Sequence, residues 1–137
     1  MDTIPKSEKN RRELTTIDFL ANKVLAGVPG DGPSELEAIW NEFEAGDTEE
    51  AKFAQDLDKF EMLLQAVEYE RLMIGEKDLS SFISVVERLQ LPEVKGWATG
   101  VIKERNAMWE AWAKTPATVG EETKKQLDGY YGKGENV

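Results

Sequence analysis

The segment from Glu49 to Glu70 limits the fold more than any other part of the chain, because it runs without glycine or proline. It reads as one long helix. At about 100° per residue, Phe53, Leu57, Phe60, Leu63, Leu64 and Val67 fall on one broad stripe. Ala51, Ala54, Asp58, Met62, Gln65 and Tyr69 fall on a second. Lys52, Gln55, Asp56, Lys59 and Glu70 share the remaining wedge, which is charged and is expected to face water. A helix apolar on two faces is normally buried between other elements. The carboxylate inside the second face, Asp58, then needs a partner, a cation or a metal. The bland alternative is a partly exposed Asp58 paired with a nearby lysine or arginine, since helical carboxylates are usually surface groups.

The flanking sequence predicts more helices and no strand, an all-α chain of about five helices. Ser7 is placed to cap a first helix reaching about Ala26. Gly27-Val28-Pro29-Gly30-Asp31-Gly32-Pro33 then breaks the chain. Ser34 and Glu37 have capping-box spacing ahead of Leu36, Ile39, Trp40 and Phe43. Thr48 suits the cap of the long helix, with Glu49 and Glu50 at its positive end. Gly75 stops that helix, Asp78 or Ser80 begins a fourth through Leu89, and Pro92 interrupts it. A fifth runs from about Glu93 to Ala113 and stops before Pro116. Trp97, Trp109 and Trp112 are expected to pack between helices. From these signals residues 1–115 form the helical domain part and 116–137 a polar, flexible tail.

The chain has 137 residues and a net charge of −10, which disfavours binding to nucleic acid polymers or anionic membranes. No apolar run approaches membrane-spanning length, and the charged N-terminus shows no secretory h-region. An intracellular, cytoplasmic location is the default expectation. With neither histidine nor cysteine, a Ser-His-Asp or Cys-His set and the usual nitrogen and sulfur zinc sites are excluded. Gly27-x-x-Gly30-x-Gly32 lacks the Lys-Ser/Thr ending of a phosphate loop and reads as a connector. The basic cluster Lys6, Lys9, Arg11 and Arg12 is interspersed with Glu8 and Glu13 and reads as a solvated first turn.

Two blocks resemble a known family. Ala51-Lys52-Phe53, Leu57-Asp58-Lys59, Glu61-Met62 and Gln65-Ala66-x-Glu68-Tyr69-Glu70 resemble the C-terminal half of the HD-domain 5′-deoxynucleotidases. Ile4-Pro5-Lys6-Ser7-Glu8-Lys9-Asn10-Arg11-Arg12-Glu13 resembles the segment that precedes that half in the same family. The resemblance extends over about residues 2–112. It implies an enzyme that converts deoxyribonucleoside 5′-monophosphates to deoxynucleosides and phosphate. The implied cofactor is a divalent metal (Mn, Co or Mg) held by a His…His-Asp…Asp set, and a homodimer is among the implied assemblies. It also places one of the basic residues near the mouth of a phosphate site.

Only the last aspartate of that set has a counterpart here, Asp58; Asp2 does not match the His-Asp pair. The resemblance therefore implies that the chain is the C-terminal part of an HD domain, with the other ligands upstream of Met1. Such a chain is expected to be inactive alone and to bind no metal stably. A second expectation keeps the helices and drops the catalysis: a metal-free interaction module that uses its apolar faces for a partner protein.

Overall fold

The computed structural model describes residues 4–118, together with 120 and 125. Asp2, the Lys6 side chain and almost all of the polar stretch 119–137 lie outside the described residues. The described secondary structure is helical throughout: α1 (Lys6–Phe19), a π-helical turn (Leu20–Val24), α2 (Gly32–Ala45), α3 (Glu49–Leu72), α4 (Ser80–Ile83), a 3₁₀ turn (Ser84–Arg88) and α5 (Pro92–Ala111). The chain divides into two compact units, residues 1–51 with 125–137, and residues 52–124.

In the first unit the helix starts differ from expectation. α1 begins at Lys6, where the Pro5 carbonyl accepts the Glu8 and Lys9 amides, both at 3.0 Å, so Ser7 lies inside the helix and caps nothing. Proline's fixed φ suits such an entry. α2 begins at Gly32 after Asp31, with Pro33 in its first turn. The Ser34 hydroxyl donates to the Asp31 carbonyl at 2.9 Å instead of joining a capping box with Glu37. Glu37 accepts the Asn22 side-chain amide at 3.3 Å, which also reaches Asp18 at 2.9 Å and so ties the π turn to α2. Gly46 closes α2 in the left-handed region, φ 67°.

α3 starts where expected, with the Thr48 hydroxyl accepting the Ala51 amide at 3.1 Å. In the second unit α3 and α5 end in the same motif. The Gly75 amide reaches back to the Glu70 carbonyl and the Ile74 amide to Arg71; likewise Lys114 reaches Trp109 and Ala113 reaches Glu110. These are paired six-to-one and five-to-two bonds around a left-handed residue just past the helix, which after α3 is followed by a second, Gly75 at φ 65°. The first left-handed residue is not glycine in either helix: it is Ile74, φ 49°, and Ala113, φ 53°. The expected fourth helix is divided into α4 and the 3₁₀ turn. Asp78 accepts the Ser80 amide at 2.8 Å and starts α4. Pro92 opens α5 rather than interrupting a helix.

The apolar core of this unit joins Leu63, Ala66 and Val67 of α3 to Val85, Leu89, Val94 and Ala98, all buried. Trp109 is buried with them and meets Trp112 edge-on at 5.8 Å, while half-exposed Trp97 leans on Phe53 and Phe60. The tryptophans thus serve helix packing, as their spacing suggests.

The rotation of α3 is the main correction to the sequence reading. The charged wedge is not the solvated one: Asp56 and Glu70 are both 0% exposed. Phe53, Leu57 and Leu64, expected to be core, are about 40% exposed, at 41%, 39% and 38%. Hydrophobic periodicity assumes that carboxylates seek water. Here both are surrounded by N–H donors from neighbouring elements, and a saturated carboxylate tolerates burial.

Candidate functional site

Two carboxylates of α3 anchor α5. At one end Asp56 accepts the Gln90 amide at 2.8 Å and the Leu91 amide at 2.7 Å, the last amides before α5 begins at Pro92. A negative group there also meets the positive end of the α5 dipole. Lys59 Nζ lies 3.5 Å from the same carboxylate. At the other end Glu70 accepts Arg105 Nε at 2.6 Å, Arg105 Nη2 at 2.8 Å, Trp109 Nε1 at 2.9 Å and the Leu79 amide at 2.8 Å. Arg105 Nη2 also donates to Ser80 Oγ at 2.9 Å, and the guanidinium stands 5.5 Å from the Trp109 ring centre.

The spacing explains why both anchors reach the same partner. Glu70 lies fourteen residues after Asp56, and Arg105 fourteen after Leu91. Fourteen residues are close to four turns, about 21 Å of helix, so each pair returns to nearly the same face at the same height. Contacts rise in the same order along both helices, so α3 and α5 run in the same direction.

Burial pushes the Glu70 carboxyl up, and the hydrogen bonds from Arg105, Trp109 and the Leu79 amide together outweigh it, leaving Glu70 below the usual glutamate range. Asp78 behaves alike: burial raises it, and bonds from the Ala117 amide and from Ser80 bring it below its ordinary value. Ala117 thereby holds the segment after α5 against the turn before α4.

Asp58 stands on the opposite side of α3 and is exposed. Two residues from Asp56 is about 200° around the helix, so burying Asp56 turns Asp58 outward. The exposed face carries Ala54, Leu57, Glu61, Leu64, Gln65 and Tyr69 around it. Of the stripe expected to accompany Asp58, Met62 is half-buried and Ala51 buried. In the first unit Arg11 and Arg12 share Glu8 at 2.8 and 2.7 Å, and these bonds hold the Glu8 carboxyl down at about 2. Lys9 pairs with Glu13 at 3.5 Å. This is the solvated, internally paired first turn that the composition suggests.

A divalent ion needs several oxygen or nitrogen donors. Asp58 offers one carboxylate, the sequence contains no histidine, and no three His, Cys, Asp or Glu side chains converge as a metal site among the described residues. The residues present do not fit a complete metal centre. Nor, among the described residues, is any helix long and apolar enough to cross a membrane.

The all-helical fold, the α3 sequence around Asp58 and the sequence profile agree on a class: the chain belongs to the HD-domain family, whose profile matches residues 1–95. Its curated relatives are enzymes by name. It is 38% identical over 108 residues to the 5′-deoxynucleotidase hdd1 of Schizosaccharomyces pombe, covering 79% of this chain and 54% of that protein. It is 31% identical over 110 residues to the 5′-deoxynucleotidase YGK1 of Saccharomyces cerevisiae, covering 80% and 51%. It is 36% identical over 118 residues to the mouse 5′-deoxynucleotidase HDDC2, covering 85% and 57%. The chain thus spans about half the length of the curated relatives it matches. No solved structure matches it.

Proposed function

We propose that this chain supplies one part of a metal-dependent phosphohydrolase that releases phosphate from deoxyribonucleoside 5′-monophosphates, and that Asp58 is its metal ligand. The observation that carries the reading is Asp58 itself: an exposed carboxylate on a largely apolar face of α3, in a chain of the HD-domain family. Since one carboxylate cannot hold a divalent ion, the remaining ligands come from protein outside these 137 residues. The 137-residue chain alone is therefore inactive in this reading.

The test compares two proteins for phosphate release from deoxynucleoside 5′-monophosphates with Mn²⁺ or Co²⁺. One is the chain alone. The other is the chain joined to the portion of S. pombe hdd1 that it does not match, hereafter the completed protein. Metal-dependent release by the completed protein and none by the chain is the expected result. Release by the chain alone above a metal-only control contradicts the proposed division of ligands. A completed protein that folds with a cooperative transition and releases nothing favours the second reading, a non-catalytic interaction module. That reading draws on the exposed Phe53, Leu57, Leu64 and Leu72 of α3.

A further inference from the structure

In the first unit α1 and α2 leave an open groove between them, a cavity of about 400 Å³. Leu14 and Ile17 of α1 and Trp40 of α2 are its apolar walls; Asp18, Glu37 and Asn41 are among its polar ones. Leu14 is 52% exposed there.

The groove also has a sign. The stretch from Val24 to Ala51 holds eight acidic residues and no lysine or arginine, in a chain of net charge −10. Asp18 adds a further carboxylate from α1. The π turn presents the Asn22 amide, which donates to Asp18 at 2.9 Å and to Glu37 at 3.3 Å and so holds two like charges side by side. No described lysine or arginine lines the groove. Arg11 and Arg12, earlier on α1, are turned onto Glu8 at 2.8 and 2.7 Å.

These walls select an occupant. A purely apolar one would bury the two carboxylates without a partner, which is costly. A bare cation would leave Leu14 and Ile17 uncovered. An arginine suits both kinds of wall, because its planar fork donates to carboxylates while its face stacks on an aromatic ring. A groove between two helices also accommodates a third, which reads it with side chains three or four residues apart.

We propose that the α1–α2 groove is a docking site for a basic amphipathic helix of a partner protein. An arginine of that helix pairs with Asp18 and Glu37 beside Trp40, and an apolar side chain one turn away covers Leu14 and Ile17. This is independent of the reading of Asp58 as a metal ligand.

The test titrates the ¹⁵N-labelled 137-residue chain with a synthetic helical peptide about 15 residues long, carrying arginine and leucine one turn apart on one face. The amide signals of Leu14, Asp18, Glu37 and Trp40 are expected to move and those of α5 to stay. Asp18→Asn and Glu37→Gln should each weaken binding about tenfold. Glu35→Gln, exposed on α2 two residues from Glu37, should weaken it less than about twofold. Binding should persist in the completed protein. Equal losses from Glu35→Gln and Glu37→Gln would reduce the effect to general attraction by an acidic surface and overturn the proposal, as would signals moving on α3 or α5 instead. Spermine binding as tightly as the peptide would make this a small-cation site and overturn the protein partner. A dimer of the chain that Glu37→Gln dissociates would put a second copy in the groove, and loss of peptide binding in the completed protein would put the protein's own remaining part there; either result overturns the assignment.

Discussion

Replacing Glu70 by Gln should cost about 4 kcal/mol. The carboxylate is fully buried and receives four N–H bonds, two from Arg105 and one each from Trp109 and the Leu79 amide. Glutamine fits the space but offers one acceptor oxygen, enough for two of those donors. Its amide nitrogen turns a donor toward donors. Two buried groups left unpaired cost roughly 1–3 kcal/mol each. Removing one partner of a buried ion pair costs about 3–5 kcal/mol, because Arg105 stays buried with only the more distant Asp78, at 3.7 Å, as a counter-charge. Both routes centre near 4 kcal/mol, a large share of the roughly 5–15 kcal/mol that holds a domain folded. At about 4 °C per kcal/mol for a chain of this length, the melting temperature should fall by about 15 °C. Circular dichroism at 222 nm during thermal unfolding at pH 7 reads this directly, with exposed Glu68→Gln as the matched control. Arg105→Met should then cost much less in the Glu70→Gln background than alone. A drop below about 4 °C for Glu70→Gln would mean that the bonds are not made in solution, and the argument would fail.

The same carboxyl makes a pH prediction: its folded pKa is lowered, so its contribution is present above the unfolded value near 4.3 and is lost as pH falls through the folded one. Urea titrations between pH 5 and pH 2 should show wild-type stability falling and the gap to Glu70→Gln narrowing; a constant gap contradicts the assignment. Asp56→Asn should destabilise by about 2 kcal/mol through weakened amide bonds, whereas exposed Asp58→Asn should stay within about 0.5 kcal/mol, as equilibrium unfolding can check. Gly75→Ala should destabilise by about 1–2 kcal/mol, since Gly75 has φ +65° and an added Cβ would meet Trp112 Cε3 at 2.9 Å. Ala113→Gly should stabilise by about 1 kcal/mol by relieving a left-handed alanine, visible as a higher melting temperature.

Helix content was legible because Gly27–Pro33, Gly46, Gly75, Pro92 and Pro116 punctuate the chain where helices end or begin. The Thr48 cap and the length of α3 follow from residues adjacent in sequence. The rotation of α3 was not legible from periodicity, because the two buried carboxylates look solvated until their partners are known. Apart from Lys59, three residues from Asp56, and the Leu79 amide, nine from Glu70, those partners are backbone amides at Gln90 and Leu91 and side chains at Arg105 and Trp109, thirty-four or more residues away from the carboxylates they serve. One signal was available: Asp56 and Glu70 share a wedge at a fourteen-residue spacing that Leu91, just before α5, and Arg105 on α5 repeat. The candidate ligand was reached through the resemblance around Leu57-Asp58-Lys59. Its outward direction follows from the burial of Asp56, which spacing alone had placed in water. Ser7 and Ser34 misled for a simpler reason, since Pro5 and the Gly32-Pro33 pair start their helices earlier than a serine cap would.

The most direct measurement is Mn²⁺ binding by the completed protein, followed by titration calorimetry, with and without Asp58→Asn. Asparagine keeps the shape of the side chain and removes its charge on an exposed site, so folding should be unaffected. If Asp58 is the ligand, affinity falls at least tenfold and phosphate release from deoxynucleoside 5′-monophosphates falls with it, while the melting temperature of the metal-free protein stays the same. Unchanged Mn²⁺ affinity in Asp58→Asn would contradict the assignment of Asp58 to the metal.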